Sequence, residues 1–444
     1  MINGIKLSAK EVCKITNGIL IGEDNITENL TIDSREKSDK MSLFFAIKGK
    51  NFNGNFFINE AIENGARIIV SEEEINAPVS VIKVKNTKKA LGLVAKNNIR
   101  RTKVIGVSGS VGKTTTKDMV TSVLKEKYNV KSTYLNQNND IGVPLTLLAL
   151  KNEDFCVVEM GMRGLGEIDW LAYISQPYIS IITNCGSAHI ELLGNEENIF
   201  KAKTEILNYS PKYALVPNED RFRGFCYKNT TPVFVGKNGD YEVVDVSYSM
   251  DGINFLIKTK NKIIKDIVIK TPSIYDCKNA IYAYAIGNIV GLTDKQIKNG
   301  LYNYTNNEMR GATIKLNDIT IINDSYNASF EGMKNSIISL SQYSKFHNKI
   351  PCALIGDMLE LGEKSNEYHQ MIGEFCKKNN IEKLFAYGCY ADYIARGFGN
   401  ATVIEDRKSI AKDIREGLPS NSVLLVKASR ALHFEDIIKE LKEN

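Results

Sequence analysis

The chain has 444 residues, 43% hydrophobic and 25% charged, a balance that builds packed domains and excludes a disordered polymer. At roughly 150 residues per domain its length implies two to four domains, and three are expected. The net charge of +5 is small and dispersed, which argues against a nucleic-acid partner, and no apolar run approaches the roughly 18 residues of a membrane span.

The first residues carry Lys6, Lys10 and Glu11 where a secretory leader needs apolar side chains, so a cytoplasmic protein is expected. Residues 1–85 alternate short apolar strands with turns, and Phe56 to Val70 reads as a helix, a glycine cap at Gly65 and a strand: a small α/β unit. Ser34 and Arg35 follow a strand in IDSREK, either as hydrogen-bond donors to an anionic ligand or as an exposed turn. After the strand Val81–Val84, a helix from Thr87 to about Arg100 opens a second domain, residues 86–309.

That domain is organised around GVSGSVGKTTT, Gly106 to Thr116. An apolar strand, a glycine-rich turn and an amphipathic helix aim a nest of backbone amides and a helix N-terminus at a phosphate group. Ser108, Gly109, Ser110, Val111 and Gly112 supply the nest, Lys113 meets phosphate oxygens, the Thr114 hydroxyl is placed for Mg²⁺, and Thr115 follows. The common phosphate-loop pattern puts a glycine where this chain has Val107.

Strands at Lys131–Tyr134, Phe155–Met160, Tyr178–Thr183 and Tyr213–Val216 alternate with helices. This rhythm predicts a parallel sheet covered on both faces, with ligands at the carboxyl ends of its strands. Glu159 ends one such strand, as a metal ligand or as a helix cap. His189, one of four histidines, falls on a loop at the same edge, as a ligand of a second Mg²⁺ or a substrate oxygen, or solvated. In the following helix Lys201, Lys203 and Glu205 read locally as a charged outer face. Hairpins are expected from Tyr241 to Lys270, a helix from Tyr275 to Ile289, and a hinge at TNNEMRG, Thr305 to Gly311.

The β/α rhythm then restarts with strands at Thr320–Asn323, Cys352–Gly356, Lys383–Tyr387 and Val423–Val426, predicting a second open α/β sheet in residues 310–444. Its strand ends carry NDSYNAS, GDMLELG and KASR. Eight cysteines lie scattered without a C-x-x-C pair, which fits reduced core thiols.

Together GSVGKTTTKDM, LNQNNDIGVPLTLL, EMGMRGLGEI, AHIELLG, DSYNAS, GDMLELGEKS and VKASRALHFE resemble the Mur ligase family over nearly the whole chain, and within it the MurF-type branch. The family's ATP loop has the glycine spacing found here, Val107 included. The resemblance implies three domains: a small N-terminal α/β domain for the UDP substrate, a central phosphate-loop ATPase domain with a mostly parallel sheet, and a C-terminal Rossmann-like α/β ligase domain. It implies ATP-dependent ligation of D-alanyl-D-alanine to UDP-N-acetylmuramoyl-tripeptide through an acyl phosphate, in the cytoplasmic synthesis of the peptidoglycan precursor. ATP and Mg²⁺ are the implied cofactors, the partners are small molecules, and a monomer is expected.

Residue by residue, the resemblance places Lys113 and Thr114 on the phosphates and Mg²⁺, Glu159 on the metal and His189 on a second metal. It makes Lys203, in AKTEI, a carbamylated lysine. Ser34, Arg35, Asn136, Asn139 and Asn327 would bind substrate, and Asn279, Arg310 and Asp324 the nucleotide. The chain departs from the family at Tyr275-Asp276, where a His-Asn pair is usual. It departs again at Asn323, Ser329-Phe330 and Asn53-Gly54-Asn55. Two other readings remain: a relative using another amino-acid donor, whose D-N-P-R-like or D-D-P-R-like pattern is not found here, and a nucleotide-binding scaffold without ligase activity.

Overall fold

The computed structural model describes residues 1–49, 52–186, 190–209 and 212–443, so that His189 lies outside the described residues. Their strands form three sheets of six, nine and six strands, each mostly parallel with an antiparallel strand at one edge or both. In the first, Ile26–Thr31, Ser42–Phe45, Ala66–Ser71 and Ser80–Lys83 run parallel, and Ile2–Ser8 and Ile19–Ile21 flank them antiparallel. Phe44, Phe45, Ile68, Ile69 and Val70 are all buried, because helices and loops cover both faces. Such strands read as continuous apolar runs.

The nine-stranded sheet places Lys103–Ser108 between Phe155–Glu159 and Ile179–Ile182, with Val130–Ser132 at one edge and Tyr213–Pro217 and Thr231–Val235 beyond Ile179–Ile182. Alternate residues of the central strand face opposite cores. Ile105 and Val107 pack with Met119 and Val123 of helix Lys113–Lys125 and Ile281 of helix Asp276–Ile289. Val104 packs with Leu91 and Val94 of helix Thr87–Asn97 and with Leu147 and Ile168.

The expected hairpins are Tyr241–Ser249, Gly252–Thr259 and Ile263–Ile269, paired antiparallel. They extend the sheet itself, joining it through the pair Val235–Tyr241. Strand Thr231–Val235 makes that junction, and Pro232 within it removes a ladder donor and weakens the strand signal in the sequence.

In the last sheet Ile319–Asn323, Ser422–Lys427, Ile350–Gly356, Lys383–Tyr387 and Thr402–Ile404 are parallel, and Ala312–Leu316 forms an antiparallel edge. No helix among the described residues is long and apolar enough to cross a membrane. All eight cysteines are free, and burial pushes the Cys156 and Cys352 thiols up to about 12, which keeps them protonated.

Candidate active site

Strand register assembles the site. Val107 pairs with Glu159 on one side and Ile181 on the other, and Ser108 pairs with Ile182. The glycine-rich loop, Glu159 and Thr183-Asn184 therefore leave the sheet at one carboxyl edge, where ligands of open α/β sheets bind.

Gly109 and Gly112 take φ of +147° and +82°, which side-chain-bearing residues rarely adopt. A Cβ would stand 2.0 Å from Thr183 Oγ1 at Gly109 and 2.3 Å from Asn279 Oδ1 at Gly112. The loop is fastened from the neighbouring strand end. Ser110 and Val111 N–H donate to Asn184 Oδ1 at 3.2 and 3.0 Å, while Asn184 Nδ2 and the Thr183 hydroxyl donate to Val111 O at 2.7 and 2.6 Å. Ser108 Oγ, just before the turn, is buried without a hydrogen-bond partner. Gly109→Ala is expected to weaken nucleotide affinity at least ~10-fold, since about 1.4 kcal/mol of strain suffices for that. Titration with a fluorescent ATP analogue checks it, and unchanged affinity would contradict a loop held this closely.

Lys113 Nζ donates to Gly109 O at 2.8 Å and Ser110 O at 3.3 Å, so its amine lies within the turn. Burial lowers its pKa, Glu159 opposes that shift, and Arg310 reinforces it. Thr114 Oγ1 donates to Glu159 Oε2 at 2.8 Å, and Asn138 Nδ2 donates to Glu159 Oε1 at the same distance. The Glu159 N–H donates to Thr133 Oγ1 at 3.0 Å. A buried carboxylate is thus aimed at the loop from both oxygens and its own backbone.

Lys203 faces the same centre and is only 1% exposed. Burial, with the Lys113 cation nearby, brings its ammonium down to about 7 against the opposing pull of the Cys185 thiol. The helix Glu196–Thr204 turns Lys203 inward beside Ile199 and Ala202 and leaves Lys201 in solvent. An uncharged amine is therefore accessible at neutral pH where an outer-face lysine would be a fixed cation.

Asn279 meets the start of the loop helix: its Oδ1 accepts from Thr116 Oγ1 at 3.3 Å and its Nδ2 donates to Asp276 at 3.1 Å. Burial pushes the Asp276 carboxyl up to about 6 against hydrogen bonds from Thr271 and Asn279. Arg310 lies 3.8 Å over the Tyr326 ring. Asp324 is held by Lys427 Nζ at 2.6 Å and Ser336 Oγ at 2.7 Å, and Lys427 also donates to Asn327 O at 3.0 Å.

Ser34, Arg35, Asn136 and Asn139 make no hydrogen bond to Lys113, Glu159 or Lys203 among the described residues. Ser34 Oγ donates to Glu60 at 2.6 Å, and Arg35 forks onto Asp33 at 2.8 and 2.7 Å, which holds the Asp33 carboxyl down at about 2. Asn136 is exposed, and Asn139 Oδ1 accepts from Ile141 and Gly142 N–H at the start of helix Gly142–Leu148. Their neighbours Asp33 and Gln137 line one cleft of about 260 Å³ between the first two sheets. A larger concavity, about 730 Å³, lies at the opposite strand ends among exposed Arg101, Lys103, Lys151 and Lys212 and holds none of these candidates.

A phosphate nest, a lysine within it, a hydroxyl–carboxylate pair and a buried amine that loses its charge near pH 7 suit phosphoryl transfer between anions. Three family models cover most of the chain: "Mur ligase family, catalytic domain" over residues 27–104, "Mur ligase middle domain" over 107–287, and "Mur ligase, glutamate ligase domain" over 309–430. A UDP-N-acetylmuramoyl-tripeptide–D-alanyl-D-alanine ligase of Bacillus subtilis is 33% identical, with 99% of each chain covered. The chain belongs to the Mur ligase family. Among solved structures, MurF from Acinetobacter baumannii matches with a TM-score of 0.91 at 27% identity over 100% of both chains. A MurF ligase from Thermotoga maritima in complex with ADP matches with 0.86 at 28% identity, over 94% of this chain and 97% of that one.

Several residues of this Mur ligase's centre escape sequence reasoning. Asn138, not Asn136 or Asn139, reaches Glu159, and nothing local distinguishes three asparagines in LNQNNDIG. Thr133 and Asn184 follow strand ends, and that position is the signal that finds them. Lys117, 2% exposed, donates to Thr133 O at 2.9 Å and pairs with Asp118, tying the loop helix to the strand beside Glu159.

Proposed function

We propose that this Mur ligase joins D-alanyl-D-alanine to UDP-N-acetylmuramoyl-tripeptide with hydrolysis of ATP, completing the pentapeptide precursor of peptidoglycan. The observation that carries the choice of donor is the end-to-end match to ligases with that named activity, in a chain whose phosphate loop, Glu159 and Lys203 are intact. Residues 1–85 serve the UDP substrate, 86–309 serve ATP, and 310–444 complete the ligase site.

The carboxylate of the tripeptide is a poor electrophile, and it meets a triphosphate of the same sign. The Gly109 and Gly112 amides, in a loop fastened by Asn184, and the Lys113 cation screen those charges and aim the γ-phosphoryl group at the carboxylate oxygen. That transfer leaves ADP and an acyl phosphate. The dipeptide amine, as the free base, adds to the acyl carbon. It loses its proton as inorganic phosphate departs and the amide forms.

Thr114 and Glu159 offer hard oxygen ligands side by side, which fits Mg²⁺, and His189 with a carbamylated Lys203 would serve a second ion. Bound there, Mg²⁺ supplies charge neutralisation of the phosphoryl oxygens. Asn138 and Thr133 keep Glu159 in place.

Purified protein given UDP-muramoyl tripeptide, D-alanyl-D-alanine, ATP and Mg²⁺ is expected to release phosphate only when all are present. The product mass is expected to show the dipeptide attached when donors compete. No phosphate release overturns the ligase reading, and a product carrying a different donor moves the chain to another branch of the family.

A further inference from the structure

The turn Asp357–Gly362, which follows strand Ile350–Gly356 at the carboxyl edge of the last sheet, is held at its first three residues. Asp357 accepts from the Cys389 and Tyr390 N–H at 2.9 and 3.0 Å, and its carbonyl accepts from Ser429 N–H at 2.9 Å. Leu359 N–H donates to Ser429 Oγ at 2.9 Å. The remaining tie is to His369, fully buried on helix Ser365–Lys378, whose Nε2 accepts from Met358 N–H at 2.8 Å.

Geometry sets the charge state of that ring. His369 Nδ1 lies 2.6 Å from Ser365 O, which only accepts, so Nδ1 carries the hydrogen. Met358 N–H only donates, so Nε2 is bare. The ring is the neutral Nδ1–H tautomer, stacked 4.4 Å from Tyr390. A proton added at Nε2 would set donor against donor inside the core. The titratable groups facing the ring are Asp357, on the turn, and Tyr390, on the segment after strand Lys383–Tyr387. Burial lowers the His369 pKa and outweighs Asp357, whose charge is already engaged by two amides.

The turn also reaches across to the central sheet's domain. A Cβ on Gly362 would lie 3.4 Å from Glu191 Cγ, on the short helix Ile190–Leu193 that directly follows His189. The turn therefore stands between the last sheet's edge, with Asp324 and Lys427, and the helix Ile190–Leu193 of the central sheet's domain.

We propose that His369 is a positioning residue for ligation: its unprotonated Nε2 latches the Asp357–Gly362 turn in the conformation that meets the central domain, and protonation unlatches it. The proposal rests on the ligase reading for its kinetic consequence, though not for the latch itself. It makes the acid limb of activity a property of the third domain.

Two measurements on the full-length protein test it. Hydrogen-exchange mass spectrometry on peptides spanning Asp357–Leu361, corrected for intrinsic exchange, is expected to show protection falling at least ~10-fold from pH 8 to pH 5.5, while His369→Gln, which keeps an acceptor but cannot protonate, stays flat. Equal protection at both pH values in the wild type overturns the latch, whatever reaction the enzyme performs. In kinetics, His369→Phe is expected to lower kcat/KM for D-alanyl-D-alanine roughly 10- to 100-fold, the scale of a 1 Å misplacement, with KM for ATP unchanged. His369→Gln is expected to recover most of that loss and to flatten the acid limb. Equal losses in both variants, or a parallel loss of ATP binding, would reduce His369 to a core packing residue. Should His369→Phe fail to fold, the wild-type and Gln exchange profiles decide.

Discussion

Lys203→Ala is expected to lower the ligation rate by at least roughly 100- to 1,000-fold, the loss seen when a preorganised charge at a reacting centre is removed, and short carboxylic acids such as acetate are expected to restore part of it. The reason is the state of the amine. At a pKa of about 7, about half of the Lys203 side chains are neutral at pH 7, against roughly one in 3,000 for a lysine at 10.5. Only the neutral amine adds to CO₂: its lone pair forms the N–C bond, one proton leaves, and a carbamate anion replaces a cation. That anion would stand beside Lys113 and give a second metal ion an oxygen ligand, which neither an alanine nor an uncarbamylated lysine supplies. A free carboxylic acid diffusing into the space left by Lys203→Ala returns such an oxygen.

The same shift carries a stability consequence with a definite sign. Between about pH 7 and 10.5 the folded protein binds fewer protons at Lys203 than the unfolded chain does. Stability therefore rises with pH across that window, and the contribution is lost as pH falls from about 10.5 to about 7. Bicarbonate at pH 8 is expected to raise the melting temperature of the wild type and not of Lys203→Ala, because carbamylation is confined to the folded state. A fully active Lys203→Ala would show the lysine to be incidental, and intact mass spectrometry would show whether one CO₂ is carried.

The phosphate loop was legible because its chemistry leaves little freedom. Close backbone approach demands small residues with φ above zero, and the phosphate demands a cation and a hydroxyl in the next two positions, so Gly109, Gly112, Lys113 and Thr114 announce one another. Glu159 was legible as a strand end, and strand register places it beside Thr114. Lys203 was not legible from its surroundings, since Lys201 and Lys203 sit in one charged helical stretch and only packing against Ile199 and Ala202 separates them. The resemblance to the family chose between them, and of the two only Lys203 is buried. Asn138 and His369 were beyond both kinds of reading. Each matters through a hydrogen bond to one distant group, Glu159 Oε1 in one case and the Met358 amide in the other, and helical or strand periodicity carries no trace of such a partner.

Lys113→Ala is expected to reduce kcat/KM roughly 10- to 150-fold, from the ~1.5–3 kcal/mol of a hydrogen bond to a charged group. Much of that loss should appear in kcat. Negative charge on the bridging and transferring phosphoryl oxygens shifts as the bond to ADP lengthens, and a cation fixed in the turn by Gly109 O and Ser110 O meets it without reorganising. KM for ATP should rise less, because the Gly109 and Gly112 amides, in a loop that Asn184 holds in place, remain to bind the ground-state phosphates. Lys113→Arg should not rescue, since a planar fork is broader than the buried ammonium it replaces. A KM-only effect would mean that Lys113 binds substrate and transition state alike, whereas near-normal activity would remove the loop from the reaction altogether. The comparison with Lys203→Ala then separates two roles at one centre. Acetate would return an oxygen ligand to the Lys203 variant, but no small carboxylate replaces the cation lost from Lys113.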